Sequence, residues 1–251
     1  MKKENEMSLQ SARPVEDKSR IVLTLYMMIM GAGLAATHFG KKISYSDPGF
    51  LSAMLPWTVL LAGLVLVVQF HEGKKFGFQQ RSNGKFGIYL VVMVPVILLF
   101  GYAVVECHSS ITPVMIVMPI LIGIAEEGMY RGILLPALFR KRTVNTAILI
   151  SAFWFSALHA LNLLGGQSIL AVIGQLLLTF LTGLYFAAVY IRIKRLSLLI
   201  LQHALWDFVA FSGVVERTPV TGFAIALITV MQFICVFAML MSYREKNSTI
   251  T

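Results

Sequence analysis

Charge is scarce in this chain. Only 13% of its 251 residues are Asp, Glu, Lys or Arg, against 57% that are apolar, and the mean hydropathy is +0.78. A soluble domain gives about a quarter of its residues to charge. Too few are present here to cover a water-facing surface, so lipid must cover much of the chain. Cysteine is scarcer still. Cys107 sits just past one apolar run and Cys235 lies deep inside another, which argues against a disulfide and excludes a CxxC metal site. Acidic residues are outnumbered 12 to 21 by basic ones, giving a net charge of +9. In a soluble protein that balance would raise nucleic-acid binding. The basic clusters, however, reach only Arg140-Lys141-Arg142 and Arg192 to Arg195, with no interleaved aromatics, and this argues against nucleic acid as a partner. Also missing are internal repeats, linkers and the short alternating segments of a membrane β-barrel.

What fills the sequence is continuous apolar runs. A membrane-spanning helix needs about 20 predominantly apolar residues. Eight candidates fit, at about 21–38, 50–70, 86–105, 113–139, 144–162, 169–191, 196–213 and 220–241. Pro56, Pro95, Pro119 and Pro136 fall inside these runs or near their ends, which membrane helices tolerate. The first twenty residues are polar, too long and too acidic for the n-region of a cleaved signal peptide. They are expected to form a disordered cytoplasmic tail ahead of an uncleaved first span.

Basic residues mark the cytoplasmic loops. With the N-terminus inside, seventeen of the 21 basic residues fall in inside segments; Lys41, Lys42 and Arg217 fall outside, and Arg131 falls within a span. The expectation is an all-α polytopic bundle of about eight spans with both termini cytoplasmic. Its parts are a tail over 1–20, three N-terminal spans over 21–105, a core over 106–241 and a cytoplasmic tail over 242–251.

Six polar residues lie where a bilayer should exclude them: Glu126, Glu127, Arg131, His159, His203 and Asp207. Each ionised group at mid-bilayer costs about 2.5–3.5 kcal/mol, so they are expected to share one interior site. Their spacing agrees. Glu127 and Arg131, Phe155 and His159, and His203 and Asp207 are each four apart, which stacks each pair on one helix face. Glu126 points about 100° round the helix from Glu127. A Glu in such a site can act as a general base, and an imidazole can orient water or donate to a developing oxyanion. Taken singly, these groups read as structural glue: an intrahelical ion pair, a hydrogen-bonded histidine, a packing Phe155. Gly123, Gly128 and Gly132 are candidates for close helix approach.

One placement fits badly. At 1.5 Å per residue, Glu126 and His159 lie about 20 and 22 Å from their inner span ends, but His203 only about 10 Å from residue 196. The seventh span therefore starts deeper, tilts, or has another boundary.

Glu126-Glu127-x-x-x-Arg131, then Phe155-x-x-x-His159, then His203-x-x-x-Asp207 resembles the three motifs of the CAAX protease and bacteriocin-processing (Abi) family, EExxxR, FxxxH and HxxxN or HxxxD. The resemblance covers roughly residues 115–212; each motif is weak alone, and all three in order, each inside a span, are specific. It implies intramembrane proteolysis of a membrane-associated or prenylated peptide or protein. In those terms Glu126 and His159 activate water, His203 and position 207 stabilise the oxyanion, and Glu127 with Arg131 supports the site. Asp207 stands where the family also shows Asn. An ionised Asp cannot donate a hydrogen bond, so Asp207 must be protonated, orient His203 as an acceptor, or help bind a metal. No cofactor is favoured; Zn²⁺ held by Glu127, His159 and His203 is the alternative. Size and short loops suggest a bacterial cell membrane. Two other readings stand beside the peptidase: a transporter with a Glu/His proton relay, and a non-catalytic immunity or scaffold protein.

Overall fold

The computed structural model describes residues 2–76, 86–217 and 219–248. Helices make up nearly all of it. In chain order they are α1 (Lys2–Ala35), α2 (Phe50–Phe76), α3 (Gly87–Cys107), α4 (Pro113–Glu127), α5 (Leu135–Phe139), α6 (Val144–His159), α7 (Ile169–Ile193), α8 (Leu196–Phe211), α9 (Val214–Arg217) and α10 (Pro219–Ser248). A π-helical segment, Gly128–Leu134, joins α4 to α5 without a break, and a 3₁₀ segment, Ala160–Gly165, follows α6. In lipid every backbone group must be satisfied within the protein, and local sequence provides the ends. Pro113 opens α4 after an extended Thr112. The Thr143 and Ser168 hydroxyls accept backbone N–H groups at the starts of α6 and α7. Lys194, at φ 48°, turns the chain sharply from α7 into α8.

Among the described residues, seven helices are long and apolar enough to cross a membrane: Asp17–Gly40, Phe50–Glu72, Gly87–Ser110, Pro113–Phe139, Val144–Gly165, Ile169–Ile193 and Pro219–Ser242. One more apolar helix among the described residues is shorter. The expected seventh span is α8, whose 16 residues extend about 24 Å, short of a hydrocarbon core of about 30 Å. It also accounts for the ill-fitting depth of His203, which is the eighth residue of this short helix and so sits at its middle. α1 begins at Lys2, so the expected tail is helical over its described residues. Val15 and Ser19 are buried, and Lys18 pairs with Glu72 of α2 at 2.8 Å, so the end of the tail is held against the bundle.

The core is built around α4. Its span is 56% buried, against 22–44% for the other six, and it packs between α2 and α8. Around it α6 packs on α7, α10 on α7 and α3, and α1 on α2. Gly123 lets α4 and α8 meet, since a Cβ there would lie 2.9 Å from the Ile200 carbonyl oxygen. Large apolar side chains such as Phe70, Leu170 and Phe223 point outward at 73–87% exposure, as a lipid-facing surface requires.

Candidate active site

The six intramembrane polar residues converge at the junction of α4, α6, α7 and α8. Glu126 and Glu127 end α4. The helix then widens into the π-helical segment carrying Arg131, a distortion frequently found at functional sites. Arg131 is wholly buried and Glu127 likewise. Arg131 donates to Glu127 Oε1 at 3.0 Å and to the Gly183 carbonyl of α7 at 3.2 Å. Its guanidinium carbon lies 4.2 Å from the centre of the Phe155 ring and 5.4 Å from that of Phe186. The cation is thus enclosed by a carboxylate, a carbonyl and two aromatic faces. Phe155 is more than the packing residue its sequence context suggests.

His203 connects the inner pair to the open side of the site. Its Nδ1 is 2.8 Å from Glu127 Oε1, the oxygen that also takes Arg131. Its Nε2 faces Asp207 Oδ2 at 3.5 Å and Glu126 Oε2 at 3.8 Å. The ring stacks on Phe186, 18° from parallel, with centroids 5.9 Å apart. His159 is held differently. Its Nδ1 lies 3.0 Å from the Phe155 carbonyl oxygen. A carbonyl can only accept, so Nδ1 carries the proton and Nε2 keeps its lone pair.

A cavity of about 550 Å³ brings Glu126, His159, His203 and Asp207 onto one wall. Glu127 and Arg131 lie behind that wall and do not line it. Glu126 Oε2 is buried without a hydrogen-bond partner in the protein, an oxygen placed to receive one from a bound molecule. Asp207 thus sits beside the His203 ring, where a carboxylate can orient it. Of the residues named for zinc, Glu127 turns Oε1 to Arg131 and His203 and leaves Oε2 without a hydrogen bond among the described residues, and no group of three or more His, Cys, Asp or Glu that could hold a metal ion is found among the described residues.

The sequence reading missed three contributors. Phe186 and the Gly183 carbonyl enclose Arg131 from α7, and Gln69 of α2 donates to the Gly128 carbonyl at 3.1 Å, beside the start of the π-helical segment. Gly183 and Phe186 are indistinguishable from ordinary span residues in the sequence. Gln69 could have been found as an amide near the end of an otherwise apolar run.

These features define a polytopic helical membrane protein with a buried carboxylate, imidazole and guanidinium site opening into a cavity within the bundle. Residues 108–209 match the model of the Rce1-like family, described as type II CAAX prenyl endopeptidase Rce1-like. That segment contains all three motifs, so it is similar to a family described as a CAAX-type endopeptidase. No match was found among curated proteins or among solved structures.

Proposed function

We propose that this protein is an intramembrane endopeptidase in which Glu126 and His159 activate a water molecule against a peptide bond of a membrane-associated substrate. One observation carries the reading: Glu126, His159, His203 and Asp207 line a single cavity, while Glu127 and Arg131 brace it from behind. In the reaction, water sits between the Glu126 carboxylate and the lone pair on His159 Nε2. Its oxygen attacks the scissile carbonyl carbon as Glu126 takes one proton. The resulting oxyanion is met by a proton on His203 Nε2, and Asp207 and Glu127 hold that ring from its two nitrogens. Collapse breaks the C–N bond, and Glu126 returns the proton to the leaving amine. No step passes through a metal. General-base catalysis of this kind contributes about 10²–10⁴ in rate, and a preorganised oxyanion donor about 10²–10³.

The apolar part of the cavity wall, including Leu34, Phe50, Met54 and Met118, favours a substrate with apolar side chains or a prenyl group. A multi-pass protein of the cell membrane, bacterial in origin, with both termini cytoplasmic, completes the reading. The test is cleavage of a reporter peptide, prenylated or membrane-anchored, by purified protein in lipid. Glu126→Gln, which keeps shape but cannot act as a base, is expected to insert and fold and to lose hydrolysis. Unchanged cleavage by a folded Glu126→Gln protein overturns the assignment of the base.

A further inference from the structure

The cavity beside Glu126 and His159 is not spread evenly along the bundle. α1 lines it with residues between 26 and 34, α2 with residues between 50 and 61, and α4 with residues between 118 and 126. α6 and the 3₁₀ segment after it contribute between 155 and 162, α7 between 171 and 186, α8 between 202 and 211 and α10 between 225 and 232, and α3 adds Val96. These stretches lie toward one end of the bundle, where α1 gives way to α2, α6 to α7 and α8 to α10. The connecting segments meet there. The Tyr45 backbone N–H donates to the Gly165 carbonyl at 2.8 Å, and Tyr45 and Gln167 both line the cavity.

Charge distinguishes that end from the other. Its connecting segments carry Lys41, Lys42 and Arg217, against seventeen Lys and Arg residues in the segments at the opposite end. Short loops rich in Lys and Arg stay in the cytoplasm, so the end that holds the cavity faces outward. The exposed lining residues show where the cavity opens. They are Ala171, Gly174 and Leu178 of α7 and Ala210 of α8, and they mark a gap between these two helices. α7 leans instead on α6 and α10. From Ile169, the outer end of α7, to Leu178 the helix rises about 14 Å. The neighbouring Leu170, Ile173 and Leu177 point outward, so the gap faces lipid.

We propose that the substrate enters sideways from the extracytoplasmic half of the bilayer, through the gap between α7 and α8, and is a membrane-anchored peptide whose scissile bond lies on that side. The substrate class rests on the peptidase reading above; the entrance does not. Such a peptide reaches the site without leaving lipid. At the bond its backbone must unwind to be attacked, and in lipid an unwound backbone needs hydrogen-bond partners within the protein. The cavity behind the gap offers them. Gln175, Thr179, Thr182 and Gln232 line it, and so does Gln202, whose Oε1 is buried without a hydrogen bond among the described residues.

The test has two parts, both on the full chain. Cys107 and Cys235 are buried, so an introduced cysteine can be labelled over a low background. In intact cells a membrane-impermeant maleimide is expected to label Gln167→Cys, at the cavity mouth, and to label Arg142→Cys only after permeabilisation. Two reporter peptides on the same membrane anchor then carry the cleavable bond in the outer or the inner half of the bilayer. The outer reporter is expected to be cleaved and the inner one spared. A Cβ at Gly174 meets no atom within 4 Å, so Gly174→Phe fits without strain and obstructs the gap; it is expected to lose most cleavage of the outer reporter. Gly222→Phe on α10 is equally unobstructed and does not line the cavity; it is expected to cleave like wild type. Unchanged thermal melting in detergent shows that both variants are folded. Labelling of Gln167→Cys only after permeabilisation, cleavage of the inner reporter as fast as the outer, or equal rates for Gly174→Phe and Gly222→Phe would overturn the proposal. Cleavage of neither reporter, with Gln167→Cys labelled from outside, would overturn the peptidase reading and the substrate with it, and would support the outward-facing cavity.

Discussion

Glu126 and Glu127 are neighbours in sequence, and the structure gives them opposite sensitivities. Glu127 is fully buried, and its Oε1 accepts from both Arg131 and His203. Glu127→Gln removes the carboxylate that is hydrogen-bonded to the buried Arg131 guanidinium. What remains around Arg131 is the Gly183 carbonyl at 3.2 Å and the Phe155 and Phe186 faces. Breaking a buried ion pair by neutralising one partner costs about 3–5 kcal/mol. The aromatic faces offset about 1–2 kcal/mol of that, leaving a net loss near 2–3 kcal/mol, or roughly 5–10 °C in melting temperature for a protein of this size. Glu126→Gln touches none of these contacts. Its nearest cationic partner is His203 Nε2, 3.8 Å from Oε2, and that oxygen has no hydrogen bond among the described residues. Its melting temperature is therefore expected to stay within about 2 °C of wild type, a change below about 0.5 kcal/mol, while hydrolysis falls by about 10²–10⁴. The double variant Glu127→Met with Arg131→Met, which removes both charges, is expected to recover most of the lost stability without recovering cleavage. The measurements are thermal denaturation in detergent and peptide cleavage in lipid on the same preparations. A Glu127→Gln protein as stable as wild type, or a Glu126→Gln protein as destabilised as Glu127→Gln, would refute the division of roles between the two carboxylates.

Other expectations follow from single contacts. Gly123→Ala would place a Cβ 2.9 Å from the Ile200 carbonyl oxygen; overpacking of this kind costs about 1–3 kcal/mol, and activity should fall with stability because α4 and α8 are pushed apart where they bring Glu126 to His203. Phe155→Leu keeps an apolar side chain but uncovers one face of Arg131, and thermal denaturation should show a loss of about 1–2 kcal/mol; a neutral outcome would return Phe155 to a packing role. Reporter fusions at residues 45, 108, 165 and 216 should read outside, and fusions at 78, 141 and 194 inside, as the basic residues dictate. Reversal of any two would overturn the topology, and a reversal after α8 would mean that this short helix does not cross.

Composition alone determined that the chain is a helical membrane bundle. Lipid leaves so few ways to satisfy a backbone that long apolar runs have one reading, and all seven full-length helices coincide with predicted spans to within a few residues. The motif residues were legible for the same reason: Glu126, Glu127, Arg131, His159, His203 and Asp207 are conspicuous where the solvent excludes charge, and i,i+4 spacing set the pairs within each helix. The sequence could not show the length at which α8 stops, because an apolar run looks the same whether or not the chain turns at Lys194 and Ser212. Nor could it divide the six polar residues into a cavity wall and a brace behind it. That division depends on how α4, α6, α7 and α8 are rotated against one another, and rotation is fixed by contacts between distant segments: Gly123 against the Ile200 carbonyl, the Gly183 carbonyl on Arg131, Phe186 against the His203 ring. Hydrophobic periodicity specifies which face of a helix is polar; only packing decides what that face meets.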